Sequence, residues 1–495
     1  MAVPICELTI AEIHRQFEAG SLSATALVAA YEDRIEAYDQ QAAALNAIVS
    51  LNPEARAQAE RLDAEYAASG KPSGPLHGIP VLVKDNIETE EMPTSFGNAA
   101  FAEYRPKSDA TVIRKLREAG AIILGKTALP DFATSWWGYS SRSGETRNPY
   151  DLAHDPGGSS SGTGAAIASN FAAVGLGTDC GGSIRLPSSF DNLVGVRCTP
   201  GLISRDGLAM LVFQQDTIGP MARSVEDAVR VFDALVGFDA ADDLTTTYLT
   251  ARAPESYLPA LRDDALAGAR LGLVGNAMGS PQDEGALVNA VIHGALDAAS
   301  KEGAVVSEVE IANLDQHILS TSLYQNCSKH DINAFLASRP DAPLRSLQQI
   351  YETRKYHPML DLLEHCVFGP TLPEHDPQYH RRLAAREEFC RAVLALMGAQ
   401  ELDALVYPTV RVPSPSRDEL DEHRWSTLEF PTNTLIAAQT WMPAMTVPVG
   451  FTETGLPVGL EIVTRPYAEE QLFSLGYGVE QATRARRAPE ATPEL

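Results

Sequence analysis

The sequence predicts an α/β protein built as one large layered domain. Two observations support this prediction. Short apolar runs typical of buried strands recur along the chain, and capped or amphipathic helical segments separate them. The composition agrees, because 44% hydrophobic and 21% charged residues over 495 positions describe a packed protein and exclude a disordered or fibrous one.

Residues 1–70 are predicted to be helical. Ser23 is a candidate N-cap, and the apolar side chains from Leu27 to Tyr38 recur at spacings of four and three, which places them on one helix face. These N-terminal helices are expected to pack against the domain that follows.

Strand–helix alternation defines a predicted core over residues 71–235. Gly120 is expected to end a helix, and Ser224 with Asp227 resembles a capping box that opens another helix running through Leu235. The core's other predicted elements are strands at 79–83, 121–124 and 174–178 and a helix at 109–119.

The second half of the chain continues the same architecture. Residues 316–400 are predicted to form a helical insertion beside the sheet, and residues 401–480 its C-terminal part. The tail after Arg484 is expected to be frayed. Further strands are predicted at 270–274, 305–311, 404–407, 445–449 and 458–463, so that residues 1–495 form a single domain.

Charge and cysteine content limit the partners and the compartment. The net charge of −26 repels phosphate backbones and anionic lipid, which argues against nucleic-acid and membrane partners. Six scattered cysteines without a CxxC pair indicate reduced thiols rather than a disulfide framework or a zinc site. With no signal pattern at the N-terminus and no long apolar run, we expect a cytoplasmic protein.

The chemistry is concentrated in two Gly/Ser loops, at 156–164 and 177–187, that flank an apolar helix and a short strand. A phosphate-binding loop is disfavoured, because no lysine lies between Lys126 and Lys301. A nucleophile elbow is a second interpretation, since Gly158–Gly162 satisfies G-x-S-x-G around Ser160. That elbow requires a strand leading into the turn, and the residues before it are turn-like.

A third interpretation is amide hydrolysis by a serine nucleophile and a lysine base. Ser183 follows two glycines, which suit a tight turn that aims several N–H groups at one point. Lys84 ends an apolar strand, where burial would lower its pKa and leave the amine neutral near pH 7. The structural alternative is a lysine that projects its ammonium from the strand end into solvent.

Several further motifs accompany these loops, and together with them the sequence resembles the amidase signature family over residues 8–480. The matching segments are His77–Asn86, the serine loop from Gly157, Gly181–Pro187, Gly195–Gly201, Gln215–Arg223, Pro443–Pro448 and Gly455–Gly459. The resemblance implies a central mixed β-sheet covered by helices on both faces.

The resemblance also implies a Ser–cisSer–Lys triad. By position, Ser183 would be the nucleophile, Lys84 the base, and Ser159 the bridging serine that follows a cis peptide bond. The implied oxyanion hole is the backbone of Cys180, Gly181, Gly182 and Ser183. No metal and no organic cofactor are expected.

The substrate is the least determined feature. The resemblance suggests that Trp136, Trp137, Phe213 and Trp441 line an apolar or aromatic pocket, and the alternative favoured for each aromatic taken alone is a place in the core. Arg185 could bind a substrate carboxylate bidentately, and the alternative is an ion pair that braces the loop.

The implied function is hydrolysis of a small to medium amide, with esters and carbamates as further candidates, as in stand-alone bacterial peptide amidases and aryl acylamidases. The alternative is the amidase subunit of a tRNA-dependent glutamine amidotransferase, which releases ammonia from glutamine. An inactive binding module is disfavoured because all three triad positions are filled. The expected partners are a small-molecule amide and a second copy in a homodimer.

Overall fold

The structure is a computed structural model that describes residues 4–495. These residues form thirteen strands and seventeen α-helices. The strands are β1 (Ile48–Leu51), β2 (Pro80–Lys84), β3 (Ile122–Thr127), β4 (Tyr139–Ser140), β5 (Gly144–Glu145), β6 (Val174–Asp179), β7 (Val194–Arg197), β8 (Thr217–Ala222), β9 (Arg270–Val274), β10 (Val305–Val309), β11 (Ala404–Pro408), β12 (Ala444–Phe451) and β13 (Pro457–Val463). The helices are α1 (Ile10–Glu18), α2 (Ala24–Tyr38), α3 (Ala55–Ser69), α4 (Thr111–Glu118), α5 (Ser161–Ala168), α6 (Arg185–Phe190), α7 (Val225–Leu235), α8 (Tyr248–Ala251), α9 (Gly285–Lys301), α10 (Leu314–Thr321), α11 (Tyr324–Ala337), α12 (Leu347–Thr353), α13 (Asp361–Val367), α14 (Tyr379–Ala399), α15 (Arg417–Asp421), α16 (Leu435–Thr440) and α17 (Glu469–Thr483).

Eleven strands form one mixed sheet in the order β1-β3-β2-β6-β8-β7-β12-β13-β11-β9-β10. β2 is parallel to both β3 and β6, and β9 is parallel to both β10 and β11. The remaining neighbours are antiparallel, including β6 with β8. The mixed central sheet expected from the resemblance is confirmed.

Helices cover the sheet on both faces. Every residue of β2, β3, β6, β7, β8, β11 and β13 is buried, which an extended strand achieves only when both of its faces are covered. One contact illustrates the packing: a Cβ on Gly175 of β6 would lie 2.5 Å from Thr163 Cγ2 of α5. The helix therefore approaches this strand closely.

Most of the predicted elements are confirmed within a residue or two. The Ser23 side chain accepts a hydrogen bond from the Ala26 N–H at the start of α2, and Ser224 accepts one from Asp227 N–H at the start of α7. The prediction that residues 1–70 are helical was incomplete, because edge strand β1 lies within them. This four-residue strand is partly exposed and lacks a long apolar run.

The prediction of a frayed C-terminal tail was wrong. Arg486 forms an ion pair with Glu7 at 2.8 Å. Buried Arg34 donates to the carbonyl oxygens of Thr492 and Pro493, each at 2.8 Å. These long-range contacts fasten both ends of the chain to one surface, and a polar, Pro-rich composition does not reveal them.

Five helices, α10 to α14, occupy most of residues 314–399. Apolar side chains of α11, α12 and α13 join a second core cluster, whereas Leu314 of α10 and Phe389 of α14 belong to a third. The second cluster also contains Cys180 and Leu186, so this helical region packs directly against the second Gly/Ser loop. The division of the chain into an insertion and flanking segments stays a prediction. Across the described residues, no helix combines the length and apolar character that crossing a bilayer requires.

Candidate active site

Three loops meet at the carboxyl ends of the parallel strands β2 and β6. Lys84 is the last residue of β2, and Ser183 lies between β6 and α6. Ser159 lies two residues before the start of α5, the helix that packs across β2, β3 and β6. The carboxyl ends of neighbouring parallel strands are where α/β sheets place their ligand sites. The topology therefore brings together the three segments that carry the predicted triad residues.

Lys84 points inward and is fully buried. Its Nζ lies 2.8 Å from Ser159 Oγ and 2.9 Å from Thr178 Oγ1, and both contacts are hydrogen bonds. Burial lowers the pKa of this amine to about 7, although the nearby Asp216 and Asp179 carboxylates act to raise it. A solvent-facing ammonium at the strand end is thereby excluded, and the amine can be neutral at physiological pH.

Ser159 is also fully buried, and the peptide bond between Gly158 and Ser159 is cis. The backbone of Trp136 lies so close that a Cβ on Gly158 would be 2.9 Å from the Trp136 carbonyl carbon. The next residue, Ser160, donates its N–H to the Ser183 carbonyl at 3.1 Å. The two Gly/Ser loops are therefore joined directly beside Ser159.

Ser160 lacks the surroundings of a nucleophile elbow. Its hydroxyl is fully buried and shares contacts of 3.3 Å with the backbone N–H and C=O of Thr178. Residues 151–160 contain no strand and carry a single isolated bridge, at His154. The strand-to-turn geometry that G-x-S-x-G requires is absent from this segment.

The backbone around Ser183 offers N–H donors, though fewer than expected. The Gly182 N–H donates to Asp179 Oδ1 at 2.9 Å and is therefore occupied. The N–H groups of Cys180, Gly181 and Ser183 donate to no acceptor within residues 4–495. Of the four residues predicted for an oxyanion hole, three therefore have an N–H without an acceptor among residues 4–495, and the fourth, Gly182, does not.

Gly182 has a backbone conformation that favours glycine, with φ of +134°. A Cβ at this position would lie 2.1 Å from Thr434 Oγ1, and one on Gly181 would lie 2.0 Å from the Tyr324 hydroxyl oxygen. Thr434 also donates its hydroxyl to the Gly181 carbonyl at 2.6 Å. Residues more than 140 positions away in the chain thus clamp the loop.

A network of buried ion pairs contacts the same loop. Arg185 Nε and Nη2 donate to the two Asp179 carboxylate oxygens at 3.1 Å each, and Glu461 contacts Nη1. Arg197 Nη1 donates to Asp179 Oδ1 at 2.9 Å. Burial alone would raise the pKa of Asp179, but the two guanidiniums outweigh it and hold that pKa well below its usual range. These contacts match the ion-pair interpretation of Arg185, whose fully buried guanidinium braces the loop rather than facing a substrate.

The Cys180 thiol adjoins the Tyr324 hydroxyl and is almost completely buried. Burial raises its pKa well above the ordinary value, and the Asp216 carboxylate acts in the same direction. Because the thiolate is the reactive form of cysteine, this thiol is expected to be inert.

The four aromatic residues predicted to line a pocket fall into two groups. Trp136 and Trp137 are buried, and the Trp137 ring packs edge-to-face on Phe430 with ring centroids 4.6 Å apart. Phe213 and Trp441 are 42% and 44% exposed. Phe213 lines a cavity of about 810 Å³ between the 205–214 loop and α11, and no triad residue lines that cavity. Their roles as substrate contacts stay predictions.

Sequence reasoning missed Thr178, Asp179, Tyr324 and Thr434. The first two directly precede Cys180 within the Gly/Ser loop at 177–187, and they could have been found there. Tyr324 and Thr434 are distant in sequence and carry no local signal. Within residues 4–495, no group of three or more His, Cys, Asp or Glu side chains is arranged to hold a metal ion.

Similarity to known proteins identifies the family of this chain. A model of the family described as Amidase matches residues 26–473, which is most of the chain. The chain belongs to the amidase signature family. It is therefore an amide hydrolase, and the Ser-Ser-Lys triad is characteristic of this family.

Three relatives illustrate the range of this amidase's similarities. It is 37% identical to the peptide amidase of Stenotrophomonas maltophilia, with a TM-score of 0.88 over 99% of this chain and 100% of that one. It is 32% identical to a glutamyl-tRNA(Gln) amidotransferase subunit of Symbiobacterium thermophilum, over 98% of this chain and 99% of that one. A bacterial aryl acylamidase of the same family, 24% identical with a TM-score of 0.79 over 97% of each chain, shares the fold.

Proposed function

We propose that this amidase hydrolyses a small to medium apolar or aromatic amide through an acyl-enzyme on Ser183, with Ser159 as the bridging serine and Lys84 as the base. The observation that carries the proposal is the hydrogen bond of 2.8 Å between Lys84 Nζ and Ser159 Oγ in a fully buried setting. A neutral amine at this position can accept a proton, whereas an ammonium cannot.

The environment of Lys84 suits a general base. Its lowered pKa, about 7, lies near the operating pH, where a base is both deprotonated and strong enough to take a proton. Thr178 Oγ1 accepts hydrogen bonds from both Lys84 and Asn86, at 2.9 and 3.1 Å. The bond to Thr178 engages one N–H of the amine, and the lone pair of neutral Lys84 can then accept the proton of the Ser159 hydroxyl.

The proton then moves in two steps. Lys84 takes the proton of Ser159, Ser159 takes that of Ser183, and Ser183 Oγ forms a bond to the amide carbonyl carbon. The C–N bond breaks as the same relay returns a proton to the leaving amine. Water, activated by the relay, then cleaves the ester of the acyl-enzyme and releases the acid.

Backbone donors would stabilise the negative charge that develops on the carbonyl oxygen. The N–H groups of Cys180, Gly181 and Ser183 are the donors we assign to this oxyanion hole. Their loop is clamped by Thr434 and braced by Asp179, so the donors are fixed before the substrate arrives. Preorganised donors of this type are worth about 10²–10³-fold in rate for each donor.

The surroundings favour an apolar substrate. The site loop contributes to a core cluster rich in aromatic and aliphatic residues, including Leu211, Val212 and Tyr324. The 37% identity to a peptide amidase over the whole chain adds the amide of a short peptide to the candidates. Esters and carbamates remain further candidates, because the same acyl-enzyme can form from them. We also propose a cytoplasmic location and a homodimer. All six cysteines are free thiols, which suits a reducing compartment.

The alternative is the amidase subunit of a glutamine-dependent tRNA amidotransferase. Its support is the 32% identity to one such protein over 98% of this chain. In that case glutamine would be the amide and a partner protein would hold the charged tRNA.

A substrate panel with the purified chain separates these proposals. We expect release of ammonia from N-acetylphenylalaninamide with kcat/KM at least about tenfold above that for glutamine, because an apolar pocket gains from each buried group. Anilides, esters and carbamates complete the panel, and Ser183→Ala protein supplies the background rate. Hydrolysis of glutamine alone, or no turnover of any compound without a partner, would favour the amidotransferase alternative.

A further inference from the structure

We propose that Asp216 is a positioning residue of the catalytic base: its carboxylate, fixed by its own loop, acts across the site on Lys84 and strengthens the hold of Lys84 on the proton taken from Ser159. This inference rests on the proposed function of the triad. Asp216 takes no part in the relay described above.

The sheet register places Asp216 at the site. β6 and β8 are antiparallel, with Thr178 opposite Ile218 and Asp179 opposite Thr217. Cys180 follows β6 and Asp216 precedes β8, so they lie at the positions where the same register would continue. Because side chains alternate along a strand and cross-strand pairs share a face, Asp216 belongs to the face that carries Thr178, whose hydroxyl holds Lys84 Nζ.

The loop before β8 fixes the carboxylate. Asp216 Oδ2 accepts hydrogen bonds from the N–H groups of Leu211 and Val212, each at 2.8 Å. The Asp216 N–H donates in turn to the Val212 carbonyl at 3.0 Å. The side chain is only 3% exposed, and its second oxygen, Oδ1, accepts no hydrogen bond from any residue between 4 and 495. One oxygen of this buried carboxylate is thus fixed by two hydrogen bonds, and the other has no donor among the described residues.

The charged and titratable groups around this pair come from several elements. The charges of Asp216, Asp179 and the Cys180 thiolate all act to raise the pKa of Lys84, and that of Asp216 acts most strongly. Burial raises the pKa of Asp216 to about 6, and the positive charges of Lys84 and Arg197 act to lower it. Asp179 is already neutralised by Arg185 and Arg197. Of the two carboxylates that act on Lys84, Asp216 is therefore the one without an ion pair to a guanidinium among the described residues.

The chemical consequence follows from the relay. Lys84 is neutral before the reaction and becomes an ammonium when the proton arrives. An adjacent carboxylate stabilises the ammonium, whereas burial alone would make the amine too weak a base. Removing the charge should therefore let Lys84 stay neutral to lower pH while reducing its strength as a base.

The test measures how fast a fluorophosphonate probe modifies Ser183 between pH 5 and pH 9, which requires no known substrate. In the wild-type enzyme the rate should fall below about pH 7, because protonated Lys84 cannot accept a proton. In Asp216→Asn, whose amide oxygen can still accept the two loop N–H groups, the midpoint should move about one pH unit lower. The rate at high pH should fall as well.

Matched variants separate charge from shape. Asp216→Glu keeps the charge and should keep the wild-type midpoint, even where its longer side chain slows the reaction. Should Asp216→Asn fail to fold, Asp216→Ser removes the same charge with a smaller group. An unchanged midpoint in a folded neutral variant overturns the role of Asp216 alone. A wild-type rate that is independent of pH below 8, or an adduct on another serine, instead overturns the triad on which this inference rests.

Discussion

Ser183→Ala enzyme is expected to lose activity by about 10³–10⁶-fold, because no acyl-enzyme can form without the hydroxyl. The measurement is kcat/KM for the best amide of the panel, together with the fraction of protein labelled by a fluorophosphonate. The variant removes one oxygen from a nearly buried side chain, so the melting temperature should change little.

Ser188→Ala is the matched control for this variant. Ser188 lies five residues downstream, in α6, and its buried hydroxyl has no hydrogen-bond partner among the described residues. Its removal should leave both turnover and labelling at wild-type levels. Comparable turnover by both alanine variants would remove Ser183 from the mechanism.

Lys84→Met enzyme is expected to lose activity by about 10²–10⁴-fold, the usual contribution of a positioned general base. Methionine matches the apolar stem of lysine but has no lone pair basic enough to take a proton from Ser159. The residual rate should also lose its dependence on pH near 7, because the group that titrates there is gone. Measurement of kcat/KM from pH 5 to pH 9 checks both effects.

Lys115→Met supplies the control for the lysine change. Lys115 is half-buried on α4 and donates to the Leu235 carbonyl at 2.7 Å, on a helix that packs against α7. Its pKa is lowered by burial, as that of Lys84 is, yet it contacts no residue of the triad. Wild-type kinetics are expected for Lys115→Met, and full activity in Lys84→Met would exclude Lys84 as the base.

The candidate triad was assigned through the family resemblance, because its three residues lie within the short motifs that carry that resemblance. Lys84 ends an apolar strand, and Ser159 and Ser183 lie in loops whose glycines mark tight turns. The hydrogen bond between Lys84 and Ser159 joins two of these motifs, and the structure brings them together across 75 positions of the chain. Local pattern alone left a solvent-facing Lys84 and a nucleophilic Ser160 as alternatives, so the resemblance was needed to choose among them.

The support of the site could not be predicted in this way. Glu461, Thr434 and Tyr324 reach the loop around Ser183 from distant segments, and no local pattern distinguishes them from other buried polar residues. Arg185 was noticed in the sequence, but its role could not be decided there. An arginine two residues after a candidate nucleophile could brace the loop or bind a substrate, and only its burial against Asp179 and Glu461 separates the two roles.

Lys126 shows why burial alone does not identify a base. It too is fully buried on a strand, and burial lowers its pKa. Its Nζ contacts Asp85 at 3.1 Å and the Ile87 carbonyl at 2.7 Å, and it contacts no serine of the site. The hydrogen-bond partners, rather than burial, therefore distinguish a general base from a structural lysine.

The central claim is that the oxygen activated by Lys84 and Ser159 belongs to Ser183. Peptide mapping by mass spectrometry after fluorophosphonate treatment tests it directly, because the probe stays on whichever oxygen is activated. The account predicts the added mass on Ser183, formed about ten times faster for each unit of pH up to about pH 7. The added mass on Ser160 or Ser161 would contradict it.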